Sequence, residues 1–282
     1  KPGMKQGWFG NAYGGYGSKD RYEGNAMVNR FVNNDQITFM GGANNTNNMG
    51  FSDLASTMFS GMGGGGGRRG GFGAGSGITS SGNAGLNFSK EFKPDKLTLG
   101  GNTRYSHSDN DARSKSDRQN ILPGDSSSYD NSEAMSRTKS DNFGVDFRLE
   151  WKPDTMTQLI FRPSFSFSHS MNDNFSDATT LDNERDTVNT NKSSNYSESN
   201  GYNLNASIDF SRKLNNKGRV FSATLSGGNS DSYSDGMNRS DIVYFNQTDA
   251  LKNSIIDQRS RYDNKGFNSR AYVSWVEPIG HN

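Results

Sequence analysis

Few residues in this chain have the type and spacing that chemistry needs. The three histidines, His107, His169 and His281, are widely separated and none lies at ligand spacing from another. Two fall near the outer ends of predicted strands, so they read as solvated rim residues, not metal ligands or general bases. Asp109-Asn110-Asp111 has the opening of a calcium loop, but the glycine and glutamate required further on are missing. The run Gly61 to Gly77, with Arg68-Arg69 embedded, fits glycine-rich phosphate patterns only because it is mostly glycine. A dinucleotide site needs a strand before it, a helix after it and an acidic residue beyond, and a P-loop needs Gly-Lys-Ser or Gly-Lys-Thr. The sequence has neither arrangement, and the run reads as a surface loop. The absence of cysteine removes disulfides and thiolate metal sites. Triplets such as Asn205-Ala206-Ser207 follow from high Asn and Ser content and are not read as glycosylation sites. The expectation is no catalytic, cofactor-binding or metal-binding residues, and no enzyme.

What remains is a set of polar residues that share an orientation, and the elements that orient them are unusually long. Leu97 to Tyr105, Phe143 to Trp151, Leu159 to His169 and Tyr202 to Ser211 alternate apolar with polar residues. A two-residue period gives a strand with one apolar and one polar face. In Phe143 to Trp151 the apolar set is Phe143, Val145, Phe147, Leu149 and Trp151, and Asp146, Arg148 and Glu150 point the other way. Tilted strands of about 9 to 11 residues cross a bilayer, whereas strands of soluble sheets cluster near 5 or 6. A slip of one residue would turn Arg148 to lipid, at about 2–4 kcal/mol at the midplane. Parity thus assigns Asn102, Arg104, Arg148, Glu150, Arg162, Asn203, Asn205 and Asp209 to a polar lumen.

Composition is compatible with this reading. Mean hydropathy is −0.90 and no apolar stretch is long enough for a membrane helix, but a barrel dilutes its apolar signal with lumen and loop residues. Thirty-one basic residues against 30 acidic ones leave a net charge of +1, which gives no electrostatic footprint for nucleic acid. Aromatic content of 11% argues against wholesale disorder. Trp151, Phe92, Phe210, Phe221 and Trp275 lie near predicted short turns, with Tyr105 and Phe143 toward the other rim, as interfacial girdles would.

The strands are expected near 6–17, 21–33, 36–45, 79–92, 96–108, 139–152, 156–171, 199–213, 218–231 and 262–276. Lys93-Pro94-Asp95-Lys96, Lys152-Pro153-Asp154-Thr155 and Asn215-Asn216-Lys217-Gly218 read as tight turns. Long polar loops are expected over 46–78, 108–138, 172–198 and 232–260, the first a glycine-rich extracellular loop. Short turns on one rim and long loops on the other is the outer-membrane pattern, with the short turns periplasmic. The fold class is therefore all-β: an antiparallel transmembrane β-barrel, here about ten strands of an incomplete, open barrel. The first and last strands are expected not to pair. Lys90, on the apolar face near a turn, and Pro163, inside a strand, are the two irregularities.

Particular stretches add a resemblance. Tyr22-Glu23 through Asn29-Arg30-Phe31, Gln36 to Asn45, Gly50-Phe51-Ser52-Asp53, Gly77-Ile78-Thr79-Ser80, Leu122-Pro123-Gly124-Asp125, Phe147 to Trp151 and Val273 to Gly280 resemble the Bacteroidetes-type outer-membrane β-barrel proteins, a family similar to TonB-dependent receptors. The resemblance implies an outer-membrane receptor or transporter. Its partners would be outer-membrane lipid, an unidentified ligand and the TonB complex, the last through a plug expected before Lys1. Relatives have about 22 strands, so this chain would supply under half the wall. The expected function is ligand capture by extracellular loops and passage through a polar lumen. The alternatives are a structural or adhesive surface protein without active transport and, from another class, a soluble β-sandwich or solenoid.

Overall fold

The computed structural model describes residues 6–47, 77–121, 127–215, 218–245 and 253–278. Ten strands follow one another in the order β1 (Gln6–Tyr16), β2 (Tyr22–Val32), β3 (Asp35–Asn44), β4 (Ile78–Lys93), β5 (Leu97–Ile121), β6 (Ser127–Trp151), β7 (Thr157–Leu181), β8 (Thr187–Lys213), β9 (Val220–Tyr244) and β10 (Ser254–Val276). Each pairs antiparallel with its neighbours in sequence, forming a single sheet in the order β1 to β10. β1 and β10 do not pair with each other, so the sheet is an open wall and not a closed cylinder.

Register places every alternating segment with its apolar face on the same side. Leu97↔Trp151, Leu99↔Leu149, Thr103↔Val145 and Tyr105↔Phe143 join β5 to β6, and Trp151↔Leu159, Val145↔Phe165 and Phe143↔Phe167 continue into β7. Leu159↔Phe210, Phe161↔Ile208 and Phe167↔Tyr202 carry the band into β8. The opposite face holds the enclosed polar residues Asn25, Asn29, Thr38, Asn87 and Asn102, together with Met40. A single-layered sheet has nothing else to cover one of its faces, so this asymmetry means that it curls toward the polar side, the inner face.

The turns follow side-chain chemistry. Asn33 and Asp95 adopt left-handed φ values of 54° and 59°, which Asn and Asp tolerate. Asp154 Oδ1 accepts from the backbone N–H groups of Met156 at 2.8 Å and Thr157 at 2.7 Å, closing the β6–β7 turn. Lys90, on the outer face, reaches Asp35 at the start of β3 at 3.4 Å and lies 5.7 Å from the Phe92 ring centroid. Pro163 sits in an interior strand. It pairs with Ala206 of β8, while the β6 ladder skips from Asp146↔Ser164 to Leu149↔Phe161 without a register shift. The missing N–H thus costs a local gap in the ladder, not a bulge.

The wall corrects the expected strand ends and loops. β5 runs to Ile121 and β6 starts at Ser127; β7 and β8 meet at Leu181 and Thr187. Most of 108–138, 172–198 and 232–260 is therefore strand, and connections on the two rims are similarly short apart from the β3–β4 connection. The reason lies in the residues. Beyond Tyr105 the two-residue period persists, but it separates charged from small polar residues instead of apolar from polar ones. His107, Asp109, Asp111, Arg113, Lys115 and Asp117 continue the outer face, and Ser106, Ser108, Asn110, Ala112, Ser114 and Ser116 the inner. Within the expected glycine-rich loop, 48–76 lie outside the described residues, as do Leu122 to Asp125 and His281. The base of that loop is tied by the Asn47 side chain, which donates to Gly77 O and accepts from Thr79 N–H, both at 2.8 Å.

Candidate functional site

All eight residues assigned to the lumen by parity lie on the inner face, and six of them enter three polar groups at the level of the apolar band. In the first, Asn102 Nδ2 donates to Asp146 Oδ2 at 2.6 Å, and Arg104 Nη1 lies 3.5 Å from Asp146 Oδ1. In the second, Glu150 takes Arg148 at 3.0 Å, Lys152 at 2.7 Å and the Gln158 amide at 2.8 Å. In the third, Arg162 pairs with Asp209, whose other oxygen accepts from Thr224 Oγ1 at 2.8 Å. Asn203 and Asn205 stand apart from these groups, further along β8 on the same face.

Cross-strand register explains the grouping. Asn102 faces Asp146 and Asp209 faces Thr224 directly, so short side chains bond without long, entropically costly reaches. Asp146, Lys152, Gln158 and Thr224 are missing from the lumen set read from sequence. Asp146 has the parity of Arg148 and was findable; the others depend on turn geometry and on which strands are neighbours. Arg270, on the inner face opposite Ser226, makes no ion pair among the described residues.

The first and third groups each set one cation against one carboxylate, whereas the second sets two, Arg148 and Lys152, against Glu150 and carries one positive charge in excess. Among the described residues no group of three or more His, Asp or Glu side chains could hold a metal ion. His107 Nδ1 lies 2.8 Å from Asp141 Oδ1, and His169 Nδ1 2.8 Å from Asn200 Oδ1, in one cross-strand row on the outer face beyond the aromatic residues.

Further out, the outer face carries ion pairs. Arg137 binds Asp109 through Nε at 3.0 Å and Nη2 at 2.8 Å, with Lys139 at 3.7 Å. The Arg137 hydrogen bonds hold the Asp109 carboxyl below its ordinary value of 3.8, against a smaller opposing effect of burial. A depressed carboxyl favours the folded state above its ordinary pKa and loses that contribution as pH falls through the folded value. Amide protection around Asn110 and Thr138 is therefore expected to fall as acid is added below pH 3.8. Arg137→Gln should flatten that loss in a hydrogen-exchange titration, because without the Arg137 hydrogen bonds the Asp109 carboxyl is no longer held below its ordinary value; an identical profile in the variant would refute the role of the pair.

Fold and site together define a class: an open antiparallel barrel wall with an apolar outer band, a polar inner face and a tall polar extension. No family model matches the chain, and no curated protein does. Among solved structures it is similar to the open form of the ferric-catecholate import receptor Fiu from E. coli K12, at 8% identity and a TM-score of 0.20, over 96% of this chain. The chain spans 61% of that receptor's chain.

Proposed function

We propose that the chain is part of the wall of an outer-membrane receptor or transporter, not an enzyme, which captures a ligand at its outer rim and passes it along the polar inner face. The observation that carries this reading is the outer face. Phe143, Phe147, Trp151, Phe165, Phe167, Leu204, Ile208 and Leu225 are all exposed there and form one band across adjacent strands. A continuous apolar surface of that extent needs a cover, and its width of about nine residues per strand suits the about 9–11 that a tilted membrane strand requires. The resemblance of the sequence to TonB-dependent-receptor-like barrels supports import as the use of the wall, with energy coupling supplied through a plug. A structural surface protein is the second reading, supported by the extension of β5 beyond Tyr105, about 50 Å of strand at the usual rise.

The chain is expected to fold into lipid vesicles with 97–105, 143–151, 159–167 and 202–210 protected from protease and the extensions digested or accessible to labels. A chain that stays folded and monodisperse in buffer without lipid or detergent would overturn both membrane readings in favour of a soluble sheet.

A further inference from the structure

The three polar groups and Arg270 together set five cations, Arg104, Arg148, Lys152, Arg162 and Arg270, against three carboxylates, Asp146, Glu150 and Asp209. The carboxylates have no oxygen to spare. Each oxygen of Asp146, Glu150 and Asp209 already takes a hydrogen bond or an ion pair. The arginines differ, because a guanidinium carries five N–H donors and no acceptor. Among the described residues Arg148 spends only Nη2, on Glu150, and Arg162 only Nη1, on Asp209. The inner face at this level is thus short of both acceptors and negative charge.

The excess is concentrated in one cross-strand row. Asp146↔Ser164 and Leu149↔Phe161 flank the gap in the β6–β7 ladder, and this sets Arg148 beside Arg162 on neighbouring interior strands. Like charges placed opposite one another are destabilising. No carboxylate in the row separates them: it continues through Gly100 on one side and through Ser207, Ser226 and Arg270 on the other. Ser164 and Ser207, the inner-face neighbours of Arg162 along β7 and across in β8, make no side-chain hydrogen bond among the described residues. The Arg148 and Arg162 side chains stay 44% and 35% exposed, so a solute on the inner face reaches them. Charged side chains at membrane depth that face a water-filled interior mark ligand and ion pathways.

We infer that Arg148 and Arg162 bind an oxyanion between them, the carboxylate or phosphate group of a small solute, with the Ser164 and Ser207 hydroxyls as further donors. The inference rests on the receptor or transporter reading above, which makes this face the wall of a lumen. An ionised oxyanion only accepts hydrogen bonds and is negative, so it supplies both of the missing quantities. The guanidinium fork matches carboxylate and phosphate in the bidentate geometry that gives the strongest hydrogen bonds. A cation would add to the excess. An apolar group would desolvate the free N–H donors without replacing their hydrogen bonds, and an uncharged polar one would leave the two like charges uncompensated.

The test uses the full chain folded into vesicles, with insertion checked by protease protection, and calorimetric titration with pyrophosphate, tricarballylate and spermidine. One or both of the anions are expected to bind, and which of them binds tells a phosphate site from a carboxylate site; spermidine is expected not to bind. Arg148→Gln should weaken anion binding by about tenfold or more, that is at least about 1.4 kcal/mol, and so should Arg162→Gln. Arg148→Gln leaves Glu150 with Lys152 and the Gln158 amide, so the wall around it keeps its partners. Arg113→Gln removes the same charge from the outer face and should leave binding unchanged. An inserted chain that binds neither anion, that takes spermidine as well as the anions, or in which Arg113→Gln weakens binding as much as Arg148→Gln, would overturn the inference and leave the barrel reading standing. Failure to insert would overturn the barrel reading and the inference with it.

Discussion

Phe147→Arg is expected to destabilise the lipid-inserted chain by about 2–4 kcal/mol from the charge at the bilayer midplane, with about 0.5–1.5 kcal/mol more from a lost ring pair. Phe147 lies in the middle of the outer band, its ring edge-on to Phe88 with centroids 6.3 Å apart. Gly101 beneath it has no room for a side chain: an added Cβ would stand 2.6 Å from the Phe147 ring. The informative comparison is Phe175→Arg, the same exchange on the same outer face but beyond the aromatic rim, between Met135 and Ser194. Water surrounds that position, and the expected cost is about 0.5 kcal/mol or less. Urea titration in vesicles measures both. Equal costs would mean that no membrane distinguishes the two levels, and the outer band would need another cover.

Asn102→Leu should cost about 1–3 kcal/mol, because it strips Asp146 of its shortest hydrogen bond in an enclosed position. Asn102 is 2% exposed and donates at 2.6 Å. Arg104, at 3.5 Å, remains as the other partner of Asp146 but does not replace the lost donor. The double variant Asn102→Leu/Asp146→Leu should cost less than the sum of the single changes by about 0.5–3 kcal/mol, since the second change removes the group that the first left unsatisfied. Additive costs would show that the two side chains act independently.

The sequence made some of this wall legible and hid the rest for a physical reason. Phe143 to Trp151 announces its strand, its faces and its length because apolar and polar residues alternate there. The same chain from His107 to Asp117 keeps the same period, yet a reading by hydrophobicity sees only a polar stretch and assigns a loop. Sorted by charge, the alternation is as regular as before. The inner-face candidates were legible one strand at a time, from parity. Their grouping was not, because Asn102 and Asp146, or Arg162 and Asp209, are brought together by register between strands, which a single sequence does not display.

The strict neighbour order of the ten strands has a consequence for how the wall is made. Every strand bonds only to those before and after it in the chain, so apart from the β3–β4 connection no long loop closure is needed, and assembly can proceed as a zipper, one hairpin added to the last. Coupling of that kind is close to one-dimensional, as in repeat proteins. A defect in β5 would then stall growth on both sides of it, whereas a defect in β1 or β10 would trim one end. In such a chain the order of synthesis can also serve as the order of folding.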